Sequence, residues 1–216
     1  PADNVTARLD WNIGGWGLSD IGGSGFSGPV WTEDGQALFV TVERKGDIAL
    51  YQIPLDGTEP TRLIPDAGVV GHPSFAADQK SVAFLHSDMA SLPQVYVQEL
   101  PSGSRRRLTS LNSTWFKRLT LGAVEEVHFS GKDGYPLHGW IMYPPGFDPQ
   151  QTYPSILEIH GGPMAMYERG FMHEFRVLSS AGYVVYFSNP RGSQGYGEAH
   201  CTTINGLFSV RQSCMP

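Results

Sequence analysis

The stretch YPSILEIHGGPMAMYERGFMHEFRVLSSAGYVVYFSNPRGSQGYGEAH, residues 153–200, decides the fold class of this chain. Residues 153–160 form a short, mostly continuous apolar run, the pattern of a central strand buried on both faces. Phe171, Phe175 and Leu178 then fall on one helical face, and Ala181-Gly182 supplies a C-terminal stop. Residues 183–188 read as the next strand. Strand, helix and strand at this spacing make a βαβ unit, whose two strands pair in parallel. One glycine-bearing loop, His160-Gly161-Gly162-Pro163, follows the first strand, and a second, residues 189–197 (NPRGSQGYG), follows the other. A Gly-Gly pair directly after a strand lets the backbone approach a ligand with its N–H groups pointing outward. Such a loop can bind phosphate or stabilise a developing oxyanion. Alone, the pair fits a purely structural turn equally well.

The residues just upstream strengthen the site reading. Residues 123–129 and 135–143 are two apolar-rich strands joined through SGKDG at 130–134, a hairpin signal with Asp-Gly at its tip. PPG at 144–146 ends the second strand. An antiparallel entry, a βαβ unit and two glycine-rich loops together describe the opening of an α/β domain, and a loop of the HGGG type forms the oxyanion hole in α/β-hydrolases.

The first half has a different period. PVWTEDG at 29–35 precedes the apolar run ALFV, and PSFAADQ at 73–79 precedes SVAF, an offset of 44 residues. Further on the offset becomes 45, pairing Tyr51 with Tyr96 and Arg62-Leu63 with Arg107-Leu108. Short strands at even spacing with a period near 45 describe the blade of a β-propeller; a plain antiparallel sandwich is the alternative. Trp31 and Phe75 are expected to pack between neighbouring blades, because a blade cannot cover its own two apolar faces. The signature residues of WD40 repeats are absent from register. Residues 1–28 read as the end of an earlier blade and a glycine-rich connection, and two full blades cannot close a ring.

Composition agrees with this class. The 216 residues carry 15 Lys+Arg against 21 Asp+Glu, a net charge of −6, which argues against a nucleic-acid binder. Arg105-Arg106-Arg107 with Lys117 and Arg118 reads as the repeat's Arg-Leu position plus solvated neighbours. No apolar run approaches the ~18–20 residues of a membrane-spanning helix. Two cysteines, Cys201 and Cys214, cannot build a disulfide framework or a complete zinc site. No His-x-x-x-His or Cys-x-x-Cys spacing suggests a metal, and no cofactor motif appears.

Residues 153–200 closely resemble the prolyl oligopeptidase family of serine peptidases, above all its acylaminoacyl-peptidase and bacterial dipeptidyl-peptidase branch, which carries His-Gly-Gly-Pro and Asn-x-Arg-Gly-Ser-x-Gly-Tyr-Gly. The lead-in is similar too: Leu108-Thr109, Asn112, Trp115, then FSGKDGYPLHGWIMYPPGF at 129–147. The resemblance covers roughly residues 8–205. It implies C-terminal blades of a β-propeller at 1–118, the first part of an α/β-hydrolase domain at 119–206, and a non-matching tail at 207–216, both domains incomplete. It also implies that Gly162, or in second place Gly161, offers a backbone N–H to the oxyanion of a tetrahedral intermediate. A donor so placed is worth about 2.7–4 kcal/mol in the transition state.

Other branches put a Tyr at His160, so here the backbone is expected to serve the oxyanion, with His160 holding the loop. The resemblance casts Pro163, Asn189 and Gly192 as loop support, Arg191 as a brace bonded to carbonyls, and Tyr196 as packing. It implies short peptide substrates for the full-length enzyme and is compatible with a homo-oligomer. The compartment is expected to be cytoplasmic, or periplasmic or secreted if a leader has been removed.

The family's mechanism needs a serine in Gly-x-Ser-x-Gly, followed by an acid and a histidine. Ser24, Ser27 and Ser193 all fail that pattern. His72, His86, His128, His138, His173 and His200 read as structural. The chain is therefore expected to be an internal piece without the triad, inactive by itself. The alternatives are a non-catalytic propeller binding module and a related α/β-hydrolase esterase.

Overall fold

A computed structural model describes residues 4–14, 17–22, 27–101 and 103–204. The tail at 207–216, with Cys214, and Ser24 lie outside the described residues.

The first half is an antiparallel β structure. After the short strands β1 (Asn12–Ile13) and β2 (Gly17–Leu18) come β3 (Val30–Trp31), β4 (Ala37–Arg44), β5 (Asp47–Pro54) and β6 (Thr61–Arg62), each paired with its sequence neighbour. The same meander recurs in β7 (Val69–Phe75), β8 (Ser81–Asp88), β9 (Ser91–Glu99) and β10 (Arg105–Arg107). Ala37 and Ser81, 44 residues apart, open corresponding strands. One parallel register, Ile48 opposite Val69, joins the two units.

Burial explains why the two units stay together. Phe39, Leu50, Leu63, Ile64, Val70, Val82 and Phe84 form one cluster drawn from both. Phe75 stacks on Phe39 at 4.5 Å, as its place in the repeat predicts. Trp31, at the equivalent position, is 58% exposed. Phe75 has the preceding unit beside it, whereas Trp31 meets no such unit among the described residues. The other face of the first unit, Val40, Val42, Ala49, Tyr51 and Ile53, is covered by Leu9, Trp11 and Ile13. The N-terminal segment reaches that face because β1 pairs with β4.

A short helix, α1 (Ser113–Phe116), leads to the second half. There follow β11 (Val124–Ser130), β12 (Pro136–Met142), β13 (Ser155–Glu158), β14 (Met166–Tyr167), α2 (His173–Ser180), β15 (Val184–Asn189) and α3 (Glu198–Thr202). The sheet order is β11-β12-β15-β13, with β13 and β15 parallel and the other pairs antiparallel. This is the expected antiparallel entry into a βαβ unit. Trp140, Met142, Phe175, Val185 and Phe187 make its core, and full burial of side chains of this kind stabilises by roughly 1.5–3 kcal/mol each.

Two local expectations change. The helix begins at His173, so Phe171 precedes it and instead meets Phe116 edge-on at 5.5 Å. The strand expected to be buried on both faces stands at the end of the sheet order, with Leu157 56% and Ile159 70% exposed. Double-sided burial requires cover on both sides, and among the described residues β13 pairs only with β15. No helix among the described residues is long and apolar enough to cross a membrane.

The two halves are tied by backbone contacts. The β4–β5 turn brings Lys45 N–H to Gly195 O at 2.9 Å and Gly46 O to Arg169 N–H at 2.7 Å. Gly46, at φ +88°, sits against Trp140 so closely that an added Cβ would lie 2.7 Å from the indole. Only glycine permits both the backbone angle and the approach. β2 pairs in parallel with β14, and Asp20 accepts hydrogen bonds from the N–H groups of His173 and Glu174 at 2.9 and 2.6 Å. Asp20 thereby caps α2, whose own N-cap residue, Met172, has no side-chain oxygen to offer.

Candidate functional site

The His160–Pro163 loop leaves the C-terminal end of β13, and the 189–197 loop leaves the same end of β15, because those strands run parallel. The fold therefore places the two loops side by side. Gly162 lies at φ +129°, and a Cβ there would sit 3.1 Å from Met164 N and 3.3 Å from Ala165 Cβ. The positive φ strains any larger residue there, and a Cβ would press on Met164 and Ala165. The backbone bonds of the neighbourhood go elsewhere, Ala165 N–H donating to Pro163 O at 2.8 Å and Gln194 N–H to Ala165 O at 3.1 Å. Among the described residues, no acceptor takes the N–H of Gly161 or Gly162.

His160 joins the two loops. Its Nε2 is 2.9 Å from Ser193 Oγ, and the Ser193 hydroxyl donates to Pro190 O at 2.6 Å. A hydroxyl that donates to a carbonyl keeps its oxygen free to accept from His160 Nε2, while the other ring nitrogen, Nδ1, stands 3.0 Å from the Gly161 carbonyl. Ser193 is fully buried, and its partnership with His160 is invisible in sequence because 33 positions separate them. The His160 ring also meets Tyr167 edge-on at 5.0 Å.

The second loop is anchored by polar side chains. Asn189 is fully buried; its Oδ1 accepts from Tyr167 N–H at 2.7 Å, and its Nδ2 donates to Tyr167 O at 2.9 Å and to the Tyr196 hydroxyl at 3.0 Å. Truncating it would orphan two buried peptide groups. Asn189→Ala is expected to destabilise the chain by about 2–4 kcal/mol, read as a shift in urea midpoint. A loss below about 1 kcal/mol would mean that these groups are satisfied without it.

Tyr196, expected to serve as packing, is also hydrogen-bonded, its hydroxyl lying 2.5 Å from His138 Nδ1. Burial pushes that hydroxyl's pKa up, so it stays protonated. Burial likewise pulls His138 down to about 4, leaving a neutral imidazole although Glu126 Oε1 stands 2.9 Å from Nε2. Arg191 differs from its expected role. Its guanidinium pairs with Asp133 on the β11–β12 turn and lies over Tyr135, 5.3 Å from the ring centroid. A carboxylate at that turn offers a charged acceptor, which a guanidinium prefers to carbonyls. Gly192, at φ +98°, donates its N–H to His200 O at 3.0 Å and packs against Ile204. His200 donates its Nε2–H to Pro190 O at 2.9 Å, its Nδ1 faces the Tyr135 hydroxyl at 3.2 Å, and burial lowers its pKa.

Several residues at this site carry no signal in sequence. Asn12 Oδ1 accepts from Gly195 N–H at 3.0 Å and Asp10 Oδ1 from Glu198 N–H at 2.7 Å, so the N-terminal segment holds the second loop. Arg169 links Asp47 of β5 to Glu126 of β11. Glu126, His128 and His138 come together across β11 and β12, with ligand-capable atoms within 4.8 Å of one another. Motif spacing misses them because the pairing runs between strands.

No protein-family profile matches the chain. Among curated proteins it is 34% identical over 208 residues to one named uncharacterized peptidase YuxL of Bacillus subtilis (strain 168), a match covering 94% of this chain and 31% of that protein. It is 30% identical over 175 residues to dipeptidyl-peptidase 5 of Aspergillus fumigatus, covering 78% of this chain and 24% of that one. Among solved structures, Pyrococcus horikoshii acylaminoacyl peptidase superposes with a TM-score of 0.74 at 21% identity, covering 94% of this chain and 29% of that chain. An acylaminoacyl peptidase in complex with Z-Gly-Gly-Phe-chloromethyl ketone gives 0.75 at 22% identity, with the same coverage. At these identities the superpositions speak to fold, and the chain spans under a third of each relative's length. With 34% identity sustained over 208 residues and 30% over 175 to a second peptidase, and with the paired glycine loops in place, the chain belongs to the prolyl oligopeptidase family of peptidases.

Proposed function

We propose that this chain is a segment of a serine peptidase of the acylaminoacyl- or dipeptidyl-peptidase type, acting on short peptides through an acyl-enzyme. In this reading residues 1–118 are blades of a β-propeller and residues 119–206 open an α/β-hydrolase domain. The supporting observation is the His160–Pro163 loop, whose Gly161 and Gly162 N–H groups have no acceptor among the described residues at the end of a parallel strand. When a nucleophile attacks a peptide carbonyl, negative charge gathers on the oxygen, and a fixed N–H there stabilises the transition state more than the ground state. Gly162 is that donor, Gly161 the second choice, and His160, Pro163, Asn189, Arg191, Gly192 and Tyr196 keep the two loops in place. The peptide chloromethyl ketone held by one structural relative supports the substrate class.

The 216-residue chain has no Gly-x-Ser-x-Gly segment, so it supplies this donor without a nucleophile. Treated with a fluorophosphonate probe and with aminoacyl-nitroanilides, the purified chain is expected to show neither labelling nor turnover. A specifically labelled serine would overturn that assignment. Exchanged for the matching segment of the Bacillus subtilis relative, residues 153–200 are expected to sustain whatever peptidase activity that protein has. Gly162→Ala in the same chimera should lower kcat on the order of 100-fold by moving the donor. Unchanged kcat would remove Gly162 from the oxyanion role.

A further inference from the structure

The antiparallel pairing of β11 with β12 sets His128 directly opposite His138, and Glu126 lies two positions along the same strand. Side chains two apart share a face of the strand, and so do directly opposed residues, so all three project from one side of the sheet. The result is a compact triangle. Glu126 Oε1 is 2.9 Å from His138 Nε2, the imidazoles of His128 and His138 stack with centroids 4.6 Å apart, and one ligand-capable atom from each residue falls within 4.8 Å of the others. His138 is buried, whereas Glu126 and His128 are exposed, so the triangle has a fixed inner corner and an open outer side.

We propose that Glu126, His128 and His138 form a binding site for a divalent transition-metal ion of the zinc class. His138 Nε2, a ring nitrogen of His128 and a Glu126 oxygen are the three protein ligands, and water takes the fourth position. Two imidazoles with one carboxylate make a donor set that favours zinc, nickel or copper over magnesium or calcium. Metal–nitrogen bonds of about 2.0–2.1 Å require the donor atoms to draw in around the ion. Only the exposed His128 and Glu126 side chains have to turn for this, because His138 is already held.

What holds His138 is the second feature of a metal-binding histidine. Its Nδ1 faces the Tyr196 hydroxyl at 2.5 Å, and Asn189 donates to that same hydroxyl. Metal-ligating histidines are generally oriented by such a partner on the far nitrogen. Binding at Nε2 selects the tautomer with its proton on Nδ1, so that Nδ1–H donates to the Tyr196 oxygen and the Tyr196 hydroxyl turns its own proton away from the ring. Arg169, which also reaches Glu126, retains its second carboxylate, Asp47. The ion would clamp the β11–β12 hairpin and, through Tyr196, stiffen the second glycine-rich loop.

The test is calorimetric titration of the intact 216-residue chain with Zn2+, alongside visible absorption with Co2+. One Zn2+ per chain is expected in the micromolar range or tighter, together with a tetrahedral Co2+ band and a thermal midpoint that rises with Zn2+. His128→Ala, at an exposed position, is expected to leave the metal-free midpoint unchanged, weaken Zn2+ on the order of tenfold or more and abolish the Co2+ band. His173→Ala should change none of these, and Mg2+ should not compete. Absence of binding, equal binding in His128→Ala, or displacement by Mg2+ would each overturn the site.

Discussion

Replacing Arg176 with alanine is expected to destabilise the chain by about 3–5 kcal/mol. The side chain is 5% exposed, yet it carries a charge and three contacts that no neighbour can replace. Nη1 donates to Gly122 O at 2.7 Å, while Nη2 and Nε donate to Met89 O at 2.8 and 3.3 Å. Arg176 belongs to α2, Met89 to the β8–β9 turn and Gly122 to the segment entering the second sheet, so one guanidinium ties three parts of the chain together. Burial lowers its pKa, although a guanidinium remains charged at any ordinary pH. Alanine would leave a void and take the donors from the buried Gly122 carbonyl and the half-buried Met89 carbonyl, and both losses add. Arg176→Lys keeps the charge but loses the planar fork, and is expected to recover less than half. Urea midpoints compared at equal m-value measure both changes. A cost under about 1 kcal/mol for alanine would show that the tie is unimportant to stability.

Glu168→Gln is expected to leave stability nearly unchanged at pH 5 and to raise it by about 2–4 kcal/mol at pH 8. Glu168 is 3% exposed, and its Oε2 has no hydrogen-bond partner among the described residues. Burial, followed by the repulsion of Glu43, pushes its pKa up to about 8 from the ordinary 4.5. For a carboxyl raised in this way, the unfolded chain loses its proton above 4.5 while the folded chain keeps it until about 8. Between those values the folded state binds more protons, so stability falls as pH rises through the window. Glutamine imitates the protonated acid at every pH and removes that fall. The gain comes out smaller than the full linkage because the amide brings a second unpaired N–H. Unfolding curves at pH 5, 6.5 and 8 decide the matter. A difference between the proteins that does not change with pH would sink the assignment of a protonated Glu168.

The polar residues that decide these outcomes differ from those the motifs single out. His160, Gly162 and Asn189 stand out because glycine pairs and strand ends are local patterns, and the structure brings their two loops side by side. Ser193 appears in sequence as a member of the second loop that fails the nucleophile pattern, yet it is the partner of His160. Asp10, Asn12 and Asp20 lie in a stretch that reads as a connection. They nevertheless supply oxygens to Glu198, Gly195 and the start of α2, more than 150 residues away. Nothing in their spacing reports a contact that depends on how the first half folds back on the second. The place of β13 at the end of the sheet order among the described residues is equally hidden, because an apolar run records what a strand can bury and says nothing of what lies beside it.

Periodicity, turn chemistry and the 44-residue repeat are properties of neighbours along the chain. They alone determined the β meanders of the first half, the βαβ unit of the second and the presence of two glycine loops. Tertiary structure alone decided which carboxyl keeps its proton, which arginine bridges the halves, and that Glu126, His128 and His138 meet across a hairpin. Those outcomes depend on distance and dielectric between residues far apart in sequence, and both exist only once the chain has packed.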